Sequence, residues 1–317
     1  MLFSIIVCTY NRCDILKITL PYYKSLIIPA GIKLDVIIVD NNSSDETKPF
    51  VEKYSKNNTD NHSSLTYIFE PEQGLSHARN TGYKHAKGDY IAYIDDECIL
   101  PENWLEEAIN TINVADTPAF LGGPYYGKFL PGRTSTWYKE SFRDFYLLQK
   151  NIPDGALKNN YLSGCNFITR RDVFSKIDLF DTNLGMTGNT LNYGEEQDFQ
   201  KRLISQYPDE VIWYISKLFV WHLIRDEQMS ILHDFKEALV RGQSSAKEKK
   251  FSLLQLFFSP LLLIAVIGRA LLSALWKLIE SLFSKEHFLT LLHQDYQNRV
   301  WRDIGAVWYR VRYLLKI

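Results

Sequence analysis

Asp95-Asp96-Glu97 follows directly on the apolar run Tyr90-Ile-Ala-Tyr-Ile94, so three carboxylates emerge where a stretch of strand length and composition stops. In an extended chain residues 95 and 97 point to the same side, and two carboxylates there can grip one divalent cation. Hard oxygen donors suit Mg²⁺ or Mn²⁺, and an ion that keeps coordination positions open can take phosphate oxygens from a nucleotide. The plainer reading of the same residues is an acidic turn capping the helix at Pro101.

Such a cluster needs strands to carry it. Phe3 to Cys8, Leu34 to Asp40, Leu65 to Phe69 and Tyr90 to Ile94 are β-branched or aromatic runs of strand length. Helical patterns fill the gaps. Ile15, Leu16, Ile18, Thr19 and Leu20 recur at near-helical spacing ahead of Pro29-Ala30-Gly31, and Ser43 with Glu46 has the form of a capping box. Alternation of this kind predicts an α/β fold with a mostly parallel sheet flanked by helices, whose ligands gather at the carboxyl ends of the strands. At those ends stand Thr9-Tyr10-Asn11-Arg12, Asp40-Asn41-Asn42-Ser43 and Asp95-Asp96-Glu97.

The chain has 317 residues, 46% hydrophobic and 23% charged, with a formal net charge of -1. That composition supports one large or two ordinary domains and excludes a disordered or collagen-like chain. No overall basic field exists to concentrate nucleic acid, so no nucleic-acid partner is expected. Cys8, Cys13, Cys98 and Cys165 show no CxxC spacing, which signals neither zinc nor a disulfide framework and suits a reducing compartment. The opening Met-Leu-Phe-Ser-Ile-Ile lacks a basic segment, so no secretory signal is expected and the chain should start in the cytosol. Between about 115 and 190 frequent Gly and Pro mark loops suited to an acceptor. Gln228 to Lys250 reads as a mainly polar helix, and Phe251 to Phe283 is strongly apolar. From 251 onward eight Lys/Arg stand against four Asp/Glu, with Trp301, Trp308, Tyr309 and Tyr313 among them. Such a helical tail suits anionic headgroups, and the alternative is packing on the catalytic domain or on a second subunit as a homo-oligomer. The expected division is a domain over 1–245 and a tail over 246–317.

Ser4-Ile-Ile-Val-Cys-Thr-Tyr-Asn-Arg12, Val39-Asp-Asn-Asn-Ser-Ser-Asp-Glu-Thr47, Gln73-Gly-Leu-Ser-His-Ala-Arg-Asn-Thr-Gly82 and Asp95-Asp-Glu97 together resemble family 2 of the glycosyltransferases, with the GT-A fold. The resemblance continues through Gly164-Cys-Asn166, Phe180-Asp181, Leu184-Gly185, Gly194-Glu-Glu-Gln-Asp198 and Trp221-His222 and covers about residues 3 to 225. It implies an enzyme that binds a nucleotide-diphosphate-sugar and passes the sugar to an acceptor hydroxyl with inversion. It further implies that Thr9, Asn11, Asp40 and Arg79 hold the nucleotide, and that Asp95, Glu97 and His222 hold Mn²⁺ or Mg²⁺. Asp96 is expected at the ribose or behind the ligands, and Gly164, Cys165 and Asn166 beside donor sugar and acceptor. The third position of the metal motif is Glu97, where the family pattern has Asp.

Inversion needs a base for the acceptor proton, and the candidates are Glu195, Glu196 and Asp198. On a helix starting near Gly194, Glu196 lines up with Phe199 and Leu203, and Glu195 with Asp198 and Arg202. Glu196 is the favoured base, with Glu195 as the alternative, because the family motif most often has Asp at the second acidic position. Arg225 and Arg241 are candidates for meeting diphosphate charge. The expected setting is a peripheral enzyme at the cytosolic face of a membrane, building surface polysaccharide or a lipid-linked glycan on a glycan or lipid-linked acceptor. Rivals are an inactive scaffold of the same fold and a sugar nucleotidyltransferase. The latter is disfavoured, like a dehydrogenase, by the lack of glycine in Thr9 to Arg12.

Overall fold

The computed structural model describes residues 1–57, 63–115, 117–143, 153–158, 160–188, 190–247, 251–284, 286–297 and 300–315. The chain forms two compact units. Met1–Lys128, Arg143–Thr190 and Gly194–Leu223 make the first, and Phe129–Phe142, Leu191–Tyr193 and Ile224–Ile317 the second.

The first unit opens with strand and helix in alternation: β1 (Leu2–Thr9), α1 (Cys13–Lys24), β2 (Lys33–Asp40), α2 (Thr47–Asn57), β3 (Ser63–Phe69), α3 (Leu75–His85) and β4 (Tyr90–Asp95). There follow β5 (Cys98–Ile99), α4 (Trp104–Val114), β6 (Phe120–Gly122), β7 (Tyr125–Phe129), β8 (Gly155–Ala156), β9 (Asn166–Arg170), α5 (Val173–Lys176), α6 (Glu195–Gln206), β10 (Ile212–Tyr214) and β11 (Val220–Ile224). The main sheet has the order β3-β2-β1-β4-β9-β6-β10-β8, and β5-β11-β7 form a small second sheet. β1 pairs parallel with β2 and β4, and β2 with β3, while β9 runs antiparallel between β4 and β6.

The central strands are apolar on both faces because helices cover both. Along β1, Phe3, Ile5 and Val7 enter one core with Leu16, Leu20 and Trp104, while Ile6 enters a second core with Ala78, Phe167 and Phe199. The expected capping box does not form. α2 starts at Thr47, whose N–H is met by Asp45 Oδ1 at 3.0 Å, and Ser43 Oγ instead accepts the N–H of Asn11 at 2.8 Å. Ser43 lies too far ahead of the first helical turn to cap it.

The second unit contains α7 (Ile231–Lys247), α8 (Leu253–Phe257), α9 (Ser259–Phe283), α10 (Phe288–Gln297) and α11 (Val300–Leu315). α11 packs against both α7 and α9. Glycine permits the first of these contacts: a Cβ on Gly242 would fall 2.0 Å from the Arg302 carbonyl, and one on Gly305 would fall 2.1 Å from that of Leu239. This close crossing groups α7 with the helices after it, and all of Ile224–Ile317 falls in the second unit. A buried His293 joins Asp234 of α7 to the Phe129–Phe142 segment, stacking on Phe142 with ring centroids 4.1 Å apart. Of the basic and aromatic residues counted in the tail, Lys285, Arg299 and Lys316 lie outside the described residues, as does the side chain of Trp301, and so do 248–250 at the end of the polar helix.

Candidate active site

The strand register sets the frame. Thr9 stands beside Asp40, and Cys8 beside Asp95, so the ends of β2, β1 and β4 lie level along one edge of the sheet. The loops leaving that edge are fastened to one another by buried polar groups. Asp96, 2% exposed, accepts from the Thr9 hydroxyl and the Arg12 guanidinium, each at 2.7 Å, and its backbone carbonyl accepts from Thr19 Oγ1 at 2.9 Å. Both its carboxylate oxygens thus hold the turn after β1. Asp40 plays the same part after β2, accepting from Ser43 N–H at 2.9 Å and from the Tyr67 hydroxyl at 2.8 Å. Asn11, at φ 51, accepts from Ser44 N–H at 2.7 Å and ties the two turns together. Thr9 and Asp40 are buried and Asn11 is exposed.

Arg79 lies at the centre of a second group. Its guanidinium, on a residue 2% exposed, donates to Glu195 Oε1 at 2.7 Å and to the Gly164 carbonyl at 3.2 Å, and lies 3.8 Å from Asp95 Oδ1. A buried cation is tolerable only when paired and hydrogen-bonded, and here two carboxylates and a carbonyl face it. A Cβ at 164 would stand 2.7 Å from Arg79 Nη2, so a side chain there would displace the guanidinium from this position. Burial pushes the Asp95 carboxyl up to about 6, against the pull of Arg79.

Glu195, Glu196 and Asp198 all sit in the first turn of α6, where the helix dipole favours negative charge. The buried positions are Glu195, Phe199, Gln200 and Leu203, so the inward stripe runs through Glu195, one position ahead of the expected phase. Glu195 is bound to Arg79, and Asp198 is paired with Arg202 at 2.7 Å. Glu196 is half-buried, and no side chain among the described residues bonds to its carboxylate. Burial, then the neighbouring Glu195 charge, push it up to about 8, with Arg79 opposing.

His222 reaches the acidic turn through the small sheet. It pairs with Cys98, and Leu223 N–H donates to the Glu97 carbonyl at 2.9 Å. His222 Nε2 and Glu97 Oε1 stand 3.2 Å apart, both buried, and His222 Nδ1 donates to the Leu223 carbonyl at 3.2 Å. With Nδ1 as donor, a neutral imidazole offers its Nε2 lone pair on the side of the carboxylate. Among the described residues no group of three His, Cys, Asp or Glu converges closely enough to hold an ion outright. The donor types nevertheless fit a divalent cation: Glu97 and His222 already meet, and Asp95 ends the strand two residues before Glu97.

The other candidates have these surroundings. Asn166 is fully buried in β9, accepting from Trp104 Nε1 at 3.1 Å and donating to the Leu218 carbonyl at 2.7 Å and that of Pro124 at 3.3 Å. Its side chain faces the core. Cys165 is buried, 3.5 Å from Ser163 Oγ. In the second unit Arg225 pairs with Glu227, and Arg241 pairs with Glu237 at 2.7 Å and covers the Tyr193 ring.

Sequence reasoning missed Asn41, Gln73 and Ser76. The Asn41 side chain bonds the Glu72 carbonyl at 2.6 Å and the Gly74 N–H at 2.8 Å, and Gln73 returns a bond to the Asn41 carbonyl at 2.7 Å, tying the start of α3 to the end of β2. Ser76 Oγ donates to Leu184 O at 2.7 Å and Leu75 N–H to Met186 O at 2.8 Å, which docks the loop around Gly185 on α3. The available signal was a short helix whose inward positions are polar: Ser76, Arg79 and Asn80 are all buried.

Comparison with known proteins bears on the family and the fold. Residues 4–178 match the sequence pattern of Glycosyl transferase family 2. The succinoglycan biosynthesis protein ExoM of Rhizobium meliloti is 28% identical over 196 residues, which cover 61% of this chain and 58% of that protein. Glycosyltransferase AglE of Haloferax volcanii is 28% identical over 182 residues, 57% of this chain and 56% of that protein. The chain therefore spans somewhat more than half the length of these curated relatives. Among solved structures, the mannosyltransferase PcManGT from Pyrobaculum calidifontis, in complex with GDP-Man and Mn²⁺, aligns with a TM-score of 0.62 at 16% identity over 96% of this chain and 87% of that one. S. aureus TarS in complex with UDP-GlcNAc aligns with a TM-score of 0.51 at 19% identity over 80% and 68%. At such identities the likeness concerns the fold, which is GT-A. The family match covers more than half the chain, and the chain belongs to Glycosyl transferase family 2.

Proposed function

We propose that the chain transfers a sugar, with inversion, from a nucleotide-diphosphate-sugar to an acceptor hydroxyl, with Glu196 as general base. The observation that carries this reading is the contrast within one helix turn: Glu195 and Asp198 are held by arginines, while Glu196 has no such tie and is pushed up to about 8. A carboxylate poised near neutral pH suits proton abstraction. In the step, the acceptor O–H proton passes to Glu196 as the oxygen attacks the anomeric carbon. The bond from that carbon to the phosphate oxygen breaks, and its electron pair leaves with the nucleoside diphosphate. Arg79 and Glu195 hold the Gly164 loop, Asp95 and the start of α6 in register.

Asp95, Glu97 and His222 would hold Mn²⁺ or Mg²⁺, which when bound neutralises charge on the departing diphosphate. Support comes from the donor types and from the Mn²⁺ in the PcManGT complex. Thr9, Asn11 and Asp40 line the nucleotide side of the edge, with Asp96 behind them. The acceptor is a glycan or lipid-linked glycan at the cytosolic face of a membrane, a setting drawn from the succinoglycan relative and the apolar tail.

The test is hydrolysis and transfer with a panel of nucleotide-sugars, with Mn²⁺ and with chelator. Chelation should silence turnover and Mn²⁺ restore it; full activity in chelator would remove Asp95, Glu97 and His222 from these roles. Nucleotide binding without turnover of any donor would favour a scaffold of the same fold.

A further inference from the structure

Helix α9 has 25 residues, about 37 Å at 1.5 Å per residue, and among the described residues it is the helix long and apolar enough to cross a membrane. Its packed residues recur every three or four positions: Ser259, Leu263, Val266, Ala270, Ala274 and Lys277. Leu263, Val266 and Ala270 meet Ile304 of α11 and Leu239 of α7. Opposite them Ile264, Leu271, Leu272, Leu275, Leu282 and Phe283 are exposed, the last by 88%. With exposed Ile267 and Leu262 at its two limits, this arc spans about 220° of the helix at 100° per residue. A packed partner helix covers a much narrower stripe, whereas acyl chains surround whatever is presented. Arg269 and Glu280 fall at the edge of the arc, and no charged residue falls at its centre.

Length alone would allow α9 to cross. Its packed stripe forbids it, because α11 lies against α9 and carries Arg302, Asp303, Arg310 and Arg312 within Val300–Leu315. A spanning α9 would draw these charges into hydrocarbon, where each is costly.

We infer that α9 is an in-plane anchor: it lies along the surface of an anionic bilayer, its outer arc among the acyl chains and its packed stripe toward α11. Arg269 and Arg312, both exposed, then reach headgroup phosphates while their stems stay apolar. This deepens the membrane setting proposed above and rests on it. It can fail separately, because its readouts need no sugar donor.

The experiment floats the full chain with sealed vesicles, neutral or containing anionic phosphatidylglycerol. Ser252→Cys and Ser284→Cys, exposed positions either side of α9, are then labelled with a membrane-impermeant maleimide, against the parent chain as background. The chain should float, more strongly on anionic vesicles, and both cysteines should label from outside. Leu271→Glu with Leu275→Glu should cut vesicle partitioning about tenfold or more with unchanged helical circular dichroism, since neither residue faces the bundle. Protection of one cysteine would mean that α9 spans and would overturn the inference. So would a stable dimer in lipid-free light scattering that fails to float, which would place a second copy on the arc.

Discussion

Glu196 and Glu195 are adjacent in sequence and differ in what they face. Glu195 is neutralised by Arg79 at 2.7 Å, and that pair is structural: removing one partner of a buried pair typically costs about 3–5 kcal/mol. Glu196 lacks such a partner, and its proton is retained to about pH 8. As base it must be ionised, so transfer should rise with pH through about 8 in the wild type. Glu196→Gln should lower kcat by about 10²–10⁴-fold with nucleotide affinity retained; a flat pH–rate profile, or kcat within a few-fold of wild type, would return the role to Glu195. The same shift affects stability. A carboxyl whose folded value lies above its unfolded one favours folding at low pH, and this contribution is lost as pH rises through the folded value. Thermal melts should therefore show Glu196→Gln more stable than wild type above pH 8 and little different near pH 4.

Asn166 shows how one buried side chain can hold several elements together. From β9 it joins Trp104 of α4 to the turn at Leu218, which leads into β11 and His222. Asn166→Leu would leave a buried indole N–H and a buried carbonyl without partners, at about 1–3 kcal/mol for each. The expected outcome is a loss of about 3 kcal/mol in urea unfolding together with weaker Mn²⁺ binding; unchanged metal affinity would separate the latch from His222. β1 to β4 were legible because strands covered on both faces must be apolar throughout, and their ends named the loops that matter. The phase of α6 was not, since Glu195 turned inward only because Arg79 waited there, a contact between residues far apart in sequence. The meeting of His222 with Glu97 likewise depends on the pairing of β11 with β5, and two residues of β5 carry no periodic signal. Ser43 satisfied a local rule yet served Asn11, because the loops of neighbouring strand ends compete for the same hydroxyls.

The two units differ in what holds them together. The first has a core on each face of its main sheet, filled by side chains such as Phe3, Trp104, Phe167 and Phe199. In the second, Ala270 and Ile304 centre a small cluster, while the outer arc of α9 gains nothing from folding in water. Burial of apolar area is the main favourable contribution to folding, so without lipid the second unit should open at a lower temperature. A ligand stabilises the unit it binds by mass action, about 2.7 kcal/mol at a hundred times its Kd. Calorimetry should then show two transitions: nucleoside diphosphate with Mn²⁺ should raise the upper one, and anionic vesicles the lower. A single transition moved equally by both would mean that the chain unfolds as one cooperative block, with the anchor contributing to the stability of the catalytic sheet.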